Sequence, residues 1–254
     1  MNIRLSWRNR NYKIDYDKGR SLAIPLDPHG EQPSFFVDQP ASATPLKSGD
    51  YIGDVSAGGS CNAEVISFVP HCHGTHTECI GHISEQRITV QESIYQHPCI
   101  AQLITLQADS GSRKISAEAI AEHLDPDAQA LIVRTLPNDA QKMSRNYSDE
   151  PDYAVFSSSA MEFLGNSNLL HLLLDTPSLD KADDGGKLSN HRTWWGLGRT
   201  HLTIQMDKRS VTELIYVAND IADGLYWLHL ELSPLMSDAT PSRPMIYPLG
   251  EEQQ

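Results

Sequence analysis

Pro70 to Ile83 reads PHCHGTHTECIGHI. Within 12 residues it holds four histidines, His71, His73, His76 and His82, together with Cys72, Glu78 and Cys79. With 11 histidines in 254 residues, a window of that size would hold roughly 0.5 by chance. Three readings compete: a metal site, a catalytic site, or an accident of composition.

Working outward, AEVISFVPH reads as a strand ending at Pro70, so the cluster begins where a strand runs out. Upstream, residues 27–59 are rich in Pro, Gly and Ser and are expected to form a long loop, a kind of segment that is often functional. Before it, NYKIDY alternates Tyr12, Ile14 and Tyr16 with polar neighbours, the pattern of a strand. Downstream, CIAQLITL, ALIVRTL and NLLHLLLDTP are apolar enough to be strands buried on both faces. SAEAIAEHL predicts a short helix capped by Ser116, and SSSAMEFLG a second one opened by serine and closed by Gly165. RSVTELIYV and DGLYWLHLEL are further strands, with Asp223-Gly224 as a turn signal. Strands alternating with two or three helices predict a mixed α/β (α+β) fold, a mixed sheet or partial barrel flanked by helices. No composition shift marks an inner boundary, so residues 1–254 are read as one domain.

The totals exclude several functions. A formal charge of −13, with 20 Lys+Arg against 33 Asp+Glu, offers no basic face for nucleic acid. No run approaches the ~18 apolar residues of a membrane span, and the first residues, MNIRLSWRNRNYKIDYDKG, lack the apolar core of a secretion signal. Cytoplasmic residence and a small-molecule substrate are the expectations. Cys61, Cys72, Cys79 and Cys99 are too few and too uneven for a disulfide scaffold, and no C-x-x-C occurs. G-x-S-x-G is also missing, so SSSA at Ser157 reads as a helix start, not a nucleophile.

Imidazole, thiolate and carboxylate are the donors that zinc and related ions take, three or four at a time. Gly74 suits the bend that would make them converge. His76 and Glu78, two apart, face the same way in an extended segment. Each residue also has a plainer reading: His71 and His73 as surface groups, His76 with Glu78 as an ion pair, His82 as a hydrogen-bonded structural histidine, and Cys79 as packing. Together the plain readings fail, because four imidazoles and a carboxylate around one glycine are costly to bury without a metal or a reaction.

CHGTHTECIGH resembles the H-x-G-T-H-x-D-x-P-x-H signature of the cyclase family of metal-dependent amidohydrolases, which includes kynurenine formamidases (arylformamidases) and isatin hydrolases. The resemblance continues in HLLLDTPSLDKADDGGKLSNH, in TELIYVANDIADGLYWLHLELSP and in PSRP, and spans most of residues 60–245. It implies a swivelling β/β/α fold and a metal motif at 72–82. Cys72, His76 and Glu78 would be ligands, with Glu78 bridging to a second ion that also takes His191 and Glu213. His82 would be the acid–base residue. The implied function is hydrolysis of an amide, formamide or lactam C–N bond with one or two divalent ions, and the family suggests a homo-oligomer such as a homodimer.

The chain departs from the signature in three ways. Cys72 replaces a histidine and favours zinc over manganese, unless His71 or His73 turns inward instead; in an extended segment those two face away from Cys72. Glu78 replaces aspartate, adding a methylene. His191 lies 22 positions before Glu213, whereas His201 lies 12 before it; LSNH favours His191 as the ligand. The thiol also keeps open a non-catalytic reading, a closed Cys/His site that binds metal or a small ligand. Trp194 and Trp195, next to His191, are expected to pack or to line an aromatic pocket. Phe35 and Phe36 are a candidate lid or partner contact.

Overall fold

Apolar strands buried on both faces must sit in the middle of a sheet with cover on each side, and these do. A computed structural model describes residues 1–7, 10–37, 39–94, 97–149, 152–197 and 208–251. In chain order its strands are β1 (Asn2–Trp7), β2 (Arg10–Asp15), β3 (Arg20–Ser21), β4 (Ser42–Pro45), β5 (Lys47–Ser48), β6 (Tyr51–Ile52), β7 (Glu64–Ser67), β8 (His76–Glu78), β9 (Cys99–Gln107) and β10 (Lys114–Ile115). They continue with β11 (Ala130–Leu136), β12 (Val155–Phe156), β13 (His171–Leu174), β14 (Ser210–Glu213), β15 (Gly224–His229), β16 (Ala239–Pro241) and β17 (Met245–Glu251). The helices are α1 (Val90–Ser93), α2 (Ala117–Ala121), α3 (Ser158–Gly165) and α4 (Ser189–Trp194).

One mixed sheet runs β1-β2-β17-β15-β9-β11-β13-β14-β8-β16, with β3 on the side of β17. β9, β11, β13 and β14 are parallel; β15 and β8 join their two edges antiparallel. Side chains alternate as strand geometry demands. Leu131, Val133, Leu172 and Leu174 meet α2, α3 and α4 through Ile120, Met161, Leu164 and Trp194. On the opposite face Leu103, Ile132 and Leu173 pack with Val217, Leu228 and Ile246. The fold is mixed α/β, as expected. Ser116 and Ser157 cap α2 and α3 by accepting backbone N–H groups of Ala119 and Ala160.

Two local readings differ. Residues 27–59 hold three short strands: β4 pairs with β7, and β5 with β6 around Gly49-Asp50. Gly49 has φ +59, so this is the two-residue hairpin that a glycine permits. β7 stops at Ser67 rather than running to Pro70, because β4, its only partner among the described residues, pairs no farther than Ser67. Among the described residues no helix is long and apolar enough to cross a membrane.

Candidate metal centre

β8 lies between β14 and β16, antiparallel to both, with Glu213 opposite His76 and Ala239 opposite Glu78. The register brings Glu213, more than a hundred residues away in sequence, beside the cluster. Its boundaries are set locally. Gly74 takes φ +71, a conformation that strains any residue with a Cβ, and a 3₁₀ turn at Ile80–His82 follows. Thr75 anchors the bend: its hydroxyl donates to the carbonyl of Leu214 and accepts from the N–H of Ile24.

Pro70–Cys72 is a turn and not an extended segment: the N–H groups of Cys72 and His73 both reach back to the carbonyl of Val69. Alternation therefore fails here. His73 points away, its Nδ1 accepting from Val69 and its Nε2 donating to the Gln39 carbonyl, so both nitrogens are used. His71 and Cys72 both line the cavity described below.

His76, Glu78, His191 and Glu213 are buried together. His191 Nε2 is 3.0 Å from Glu78 Oε1 and 3.5 Å from Glu213 Oε1; His76 Nε2 is 3.4 Å from Glu213 Oε2. His71 Nδ1 lies 3.0 Å from Glu78 Oε2, and His82 Nε2 3.9 Å from the same oxygen. Despite this crowding, His76 Nε2, His191 Nε2 and both oxygens of Glu78 make no hydrogen bond. Buried polar atoms are rarely left this way. Among the described residues, three sets of donor atoms lie within 4.8 Å of one another: His71, His76 and Glu78; His71, His82 and Asp238; and Glu78, His82 and His191. Neither Cys72 nor Glu213 joins one of them, although Glu213 touches His76 and His191; burial pushes the Cys72 thiol up to about 11.

Neighbouring acceptors fix the ring tautomers. Asp180 Oδ2 is 2.7 Å from His191 Nδ1, and a carboxylate only accepts, so in the neutral ring Nε2 is left bare toward Glu78. The same carboxylate takes the N–H groups of Asn190 and His191, which docks α4 on the segment after β13. His76 Nδ1 donates to the Gly74 carbonyl and again leaves Nε2 bare. Trp195 stacks on His191 at 5.7 Å and, with Trp194, is buried in the core.

Burial acts to raise the Glu78 carboxyl, but the adjacent His82 and His191 rings hold it well below the usual range. Burial and the Glu78 charge likewise push Glu213 up, and His191 and His76 bring it below its ordinary value. Burial alone would lower His191; Glu78, Asp180 and Glu213 lift it well above its ordinary value. The ion-pair partners of the two glutamates among the described residues are all imidazoles. These carboxylates are compensated only if rings carry protons, whereas a divalent ion would do it with neutral rings. The donor set fits such an ion.

The cluster opens into a cavity of about 370 Å³, walled by Phe35, Phe36, Pro177, Ala182 and Leu188, with Lys181 also on its lining. Phe36 is 77% exposed and sits at φ +67, in a tight turn closed by the Val37 N–H on the Phe35 carbonyl.

His201, the alternative to His191, lies outside the described residues, as does Gly198 of GLG. The sequence reading assigned no role to Asp180 or Asp238. Asp180 was visible as the last residue of TPSLD; nothing local distinguishes Asp238.

A family model described as "Putative cyclase" matches residues 20–181, which include the cluster but stop short of His191. A kynurenine formamidase of Bordetella petrii is 28% identical over 132 residues, 52% of this chain and 57% of the relative, so the chain spans little more than half the length of that protein. A structure titled as a potential metal-dependent hydrolase with cyclase activity aligns with TM-score 0.62 at 16% identity, over 91% of this chain and 98% of the other. Isatin hydrolase A from Labrenzia aggregata aligns with TM-score 0.59 at 14% identity, over 91% and 93%. At such identity the two structures speak to the fold alone, and it is the family match across well over half the sequence that identifies the chain as a member of the cyclase family.

Proposed function

We propose that the protein is a metal-dependent hydrolase that cleaves an amide, formamide or lactam C–N bond, with arylformamide chemistry as the first class to test. One observation carries the reading: four buried polar atoms of His76, Glu78 and His191 lack hydrogen bonds and fall in two donor sets that share Glu78, beside an open cavity. The kynurenine formamidase among the similar proteins supports the bond type.

His76, Glu78, His191 and Glu213 would hold one or two divalent ions, with a further donor from the Pro70–His73 turn. When bound, such an ion polarises a carbonyl and makes water acidic near neutral pH. The converging donors are nitrogen and oxygen, which suits zinc and manganese alike. His82 is half-buried, 3.9 Å from Glu78 and 3.6 Å from Asp238, and faces the cavity. It takes the proton of the attacking water and returns it to the leaving nitrogen, a role typically worth ~10²–10⁴-fold. The apolar walls exclude bulk water and accept an aryl ring; Lys181 offers a cation to a carboxylate on the substrate. The closed, non-catalytic Cys/His site has less support, since Cys72 stands outside the donor sets and the cluster is open on one side. We extend the proposal to a homo-oligomer, for which the exposed Val65 and Ile66 on β7 supply apolar surface.

The test is metal analysis of untreated protein, followed by assays on formanilides and lactams with and without chelator. Bound divalent ion and chelator-sensitive turnover are expected. Metal-free protein that turns over, or no turnover by metal-loaded protein on any of these bonds, would discard the reading.

A further inference from the structure

We propose that His71, held by Asp238, supplies the donor that the family signature puts at the position of Cys72. In this arrangement Asp238 is the positioning residue that decides which nitrogen His71 offers. The inference rests on the cluster being a metal centre and concerns how this chain completes it.

The turn at Pro70–Cys72 carries the His71 ring back over β8, where it lies 4.1 Å from the His82 ring and 5.4 Å, edge-on, from that of His76. Both of its nitrogens meet carboxylates. Nε2 is 2.8 Å from Asp238 Oδ2 in a hydrogen bond; Nδ1 is 3.0 Å from Glu78 Oε2, an oxygen without a hydrogen bond. A neutral ring carries one hydrogen, and the hydrogen bond to Asp238, a pure acceptor, places it on Nε2. A neutral ring then turns a bare Nδ1 into the cluster. His191 mirrors this: its Nδ1–H goes to Asp180 and its bare Nε2 faces the other oxygen, Glu78 Oε1. Each oxygen of Glu78 is thus met at 3.0 Å by one imidazole nitrogen, with His82 farther off, and behind each of these two imidazoles stands an aspartate. Metal-binding histidines are oriented in this way by carboxylates on the opposite nitrogen.

The sheet delivers Asp238. Ala239 pairs with Glu78, and the Cys79 N–H bonds the Asp238 carbonyl at 3.0 Å, so Asp238 is fixed at the edge of β16 nearest the cluster. The Ser237 hydroxyl donates to its Oδ1, leaving Oδ2 for His71 and, at 3.6 Å, for His82 Nδ1. Cys72 lies on the same turn and its carbonyl accepts from Phe35, but its thiol is outside every converging donor set.

The experiment uses the full chain and its C72S, H71Q and D238N variants, each checked for fold by circular dichroism and titrated with Co²⁺ and Zn²⁺. Cobalt reports thiolate ligation directly through a sulfur-to-cobalt charge-transfer band. The expected result is no such band in wild type and unchanged affinity and spectrum in C72S. D238N should weaken binding by ~10–100-fold, the usual loss for an orienting partner, with an altered cobalt spectrum, and H71Q should weaken it more. D238E should recover part of the loss. A thiolate band in wild type that C72S abolishes overturns the inference and leaves the hydrolase reading standing; so does full affinity in H71Q. Unchanged affinity and spectrum in D238N overturn the role of Asp238. Wild type that takes up neither metal overturns this inference together with the reading beneath it.

Discussion

Two of the sets of charged side chains buried among the described residues are built on opposite principles. Lys142 and Asp175, both under 9% exposed, form a closed pair at 2.7 Å. Lys142 Nζ also donates to the Thr135 carbonyl and hydroxyl and to Asn138, and Asp175 accepts the N–H and hydroxyl of Thr135. Glu78 and Glu213, on β8 and β14, have among the described residues only imidazoles as ion-pair partners, and both oxygens of Glu78 lack a hydrogen bond. Burial of charge is common to both and diagnoses nothing. Incomplete satisfaction is what distinguishes the second set, and it is what the proposed metal centre requires.

That contrast can be broken at several points. The largest effect is expected from His76→Ala, which should abolish both metal retention and turnover; elemental analysis beside the hydrolase assay checks it. His82→Ala should keep the metal and lose ~10²–10⁴-fold in turnover; an intact rate would remove His82 from the mechanism. In the closed pair, Lys142→Met leaves Asp175 buried and alone and should cost ~3–5 kcal/mol of stability in chemical denaturation. Whatever folds should retain its metal, and the double change with Asp175→Leu should recover much of the loss.

A buried histidine with a different environment sharpens the comparison. Burial lowers His171, on β13 beside Ser210, from its ordinary 6.5 to about 4. With the folded value below the unfolded one, the unfolded chain gains its proton first as pH falls. Stability is therefore intact above pH 6.5 and is lost down to about pH 4, by at most ~3 kcal/mol. His171→Asn should flatten that acid limb in denaturation curves at pH 7 and pH 4.5, with the metal site unaffected at pH 7. The smallest effect is expected at the cavity wall: Phe36→Ala should raise KM for aryl substrates by several-fold, ~0.5–1.5 kcal/mol, and leave small aliphatic amides nearly unchanged.

Much of this was legible in the residues. The runs at β9, β11 and β13 are apolar on both faces because both faces are covered, and their composition says that much. Gly74 announced the bend, and Ser116 and Ser157 their helices. Other elements left weaker traces. β16, three residues long, owes its existence to pairing with β8, and β7 exposes both faces in a ribbon with β4.

The sequence by itself determined which donors this protein brings to its centre, because ligand chemistry is a property of side-chain type and the density of histidine around Gly74 is a property of the string. Which of them converge was decided by tertiary structure alone. A turn at Pro70–Cys72 cancels strand alternation and puts His71 beside Glu78, and strand register carries Glu213 and Asp238 to β8 from far along the chain. Distance in space between such residues is set by hydrogen-bonded pairing between strands, and no local pattern encodes it.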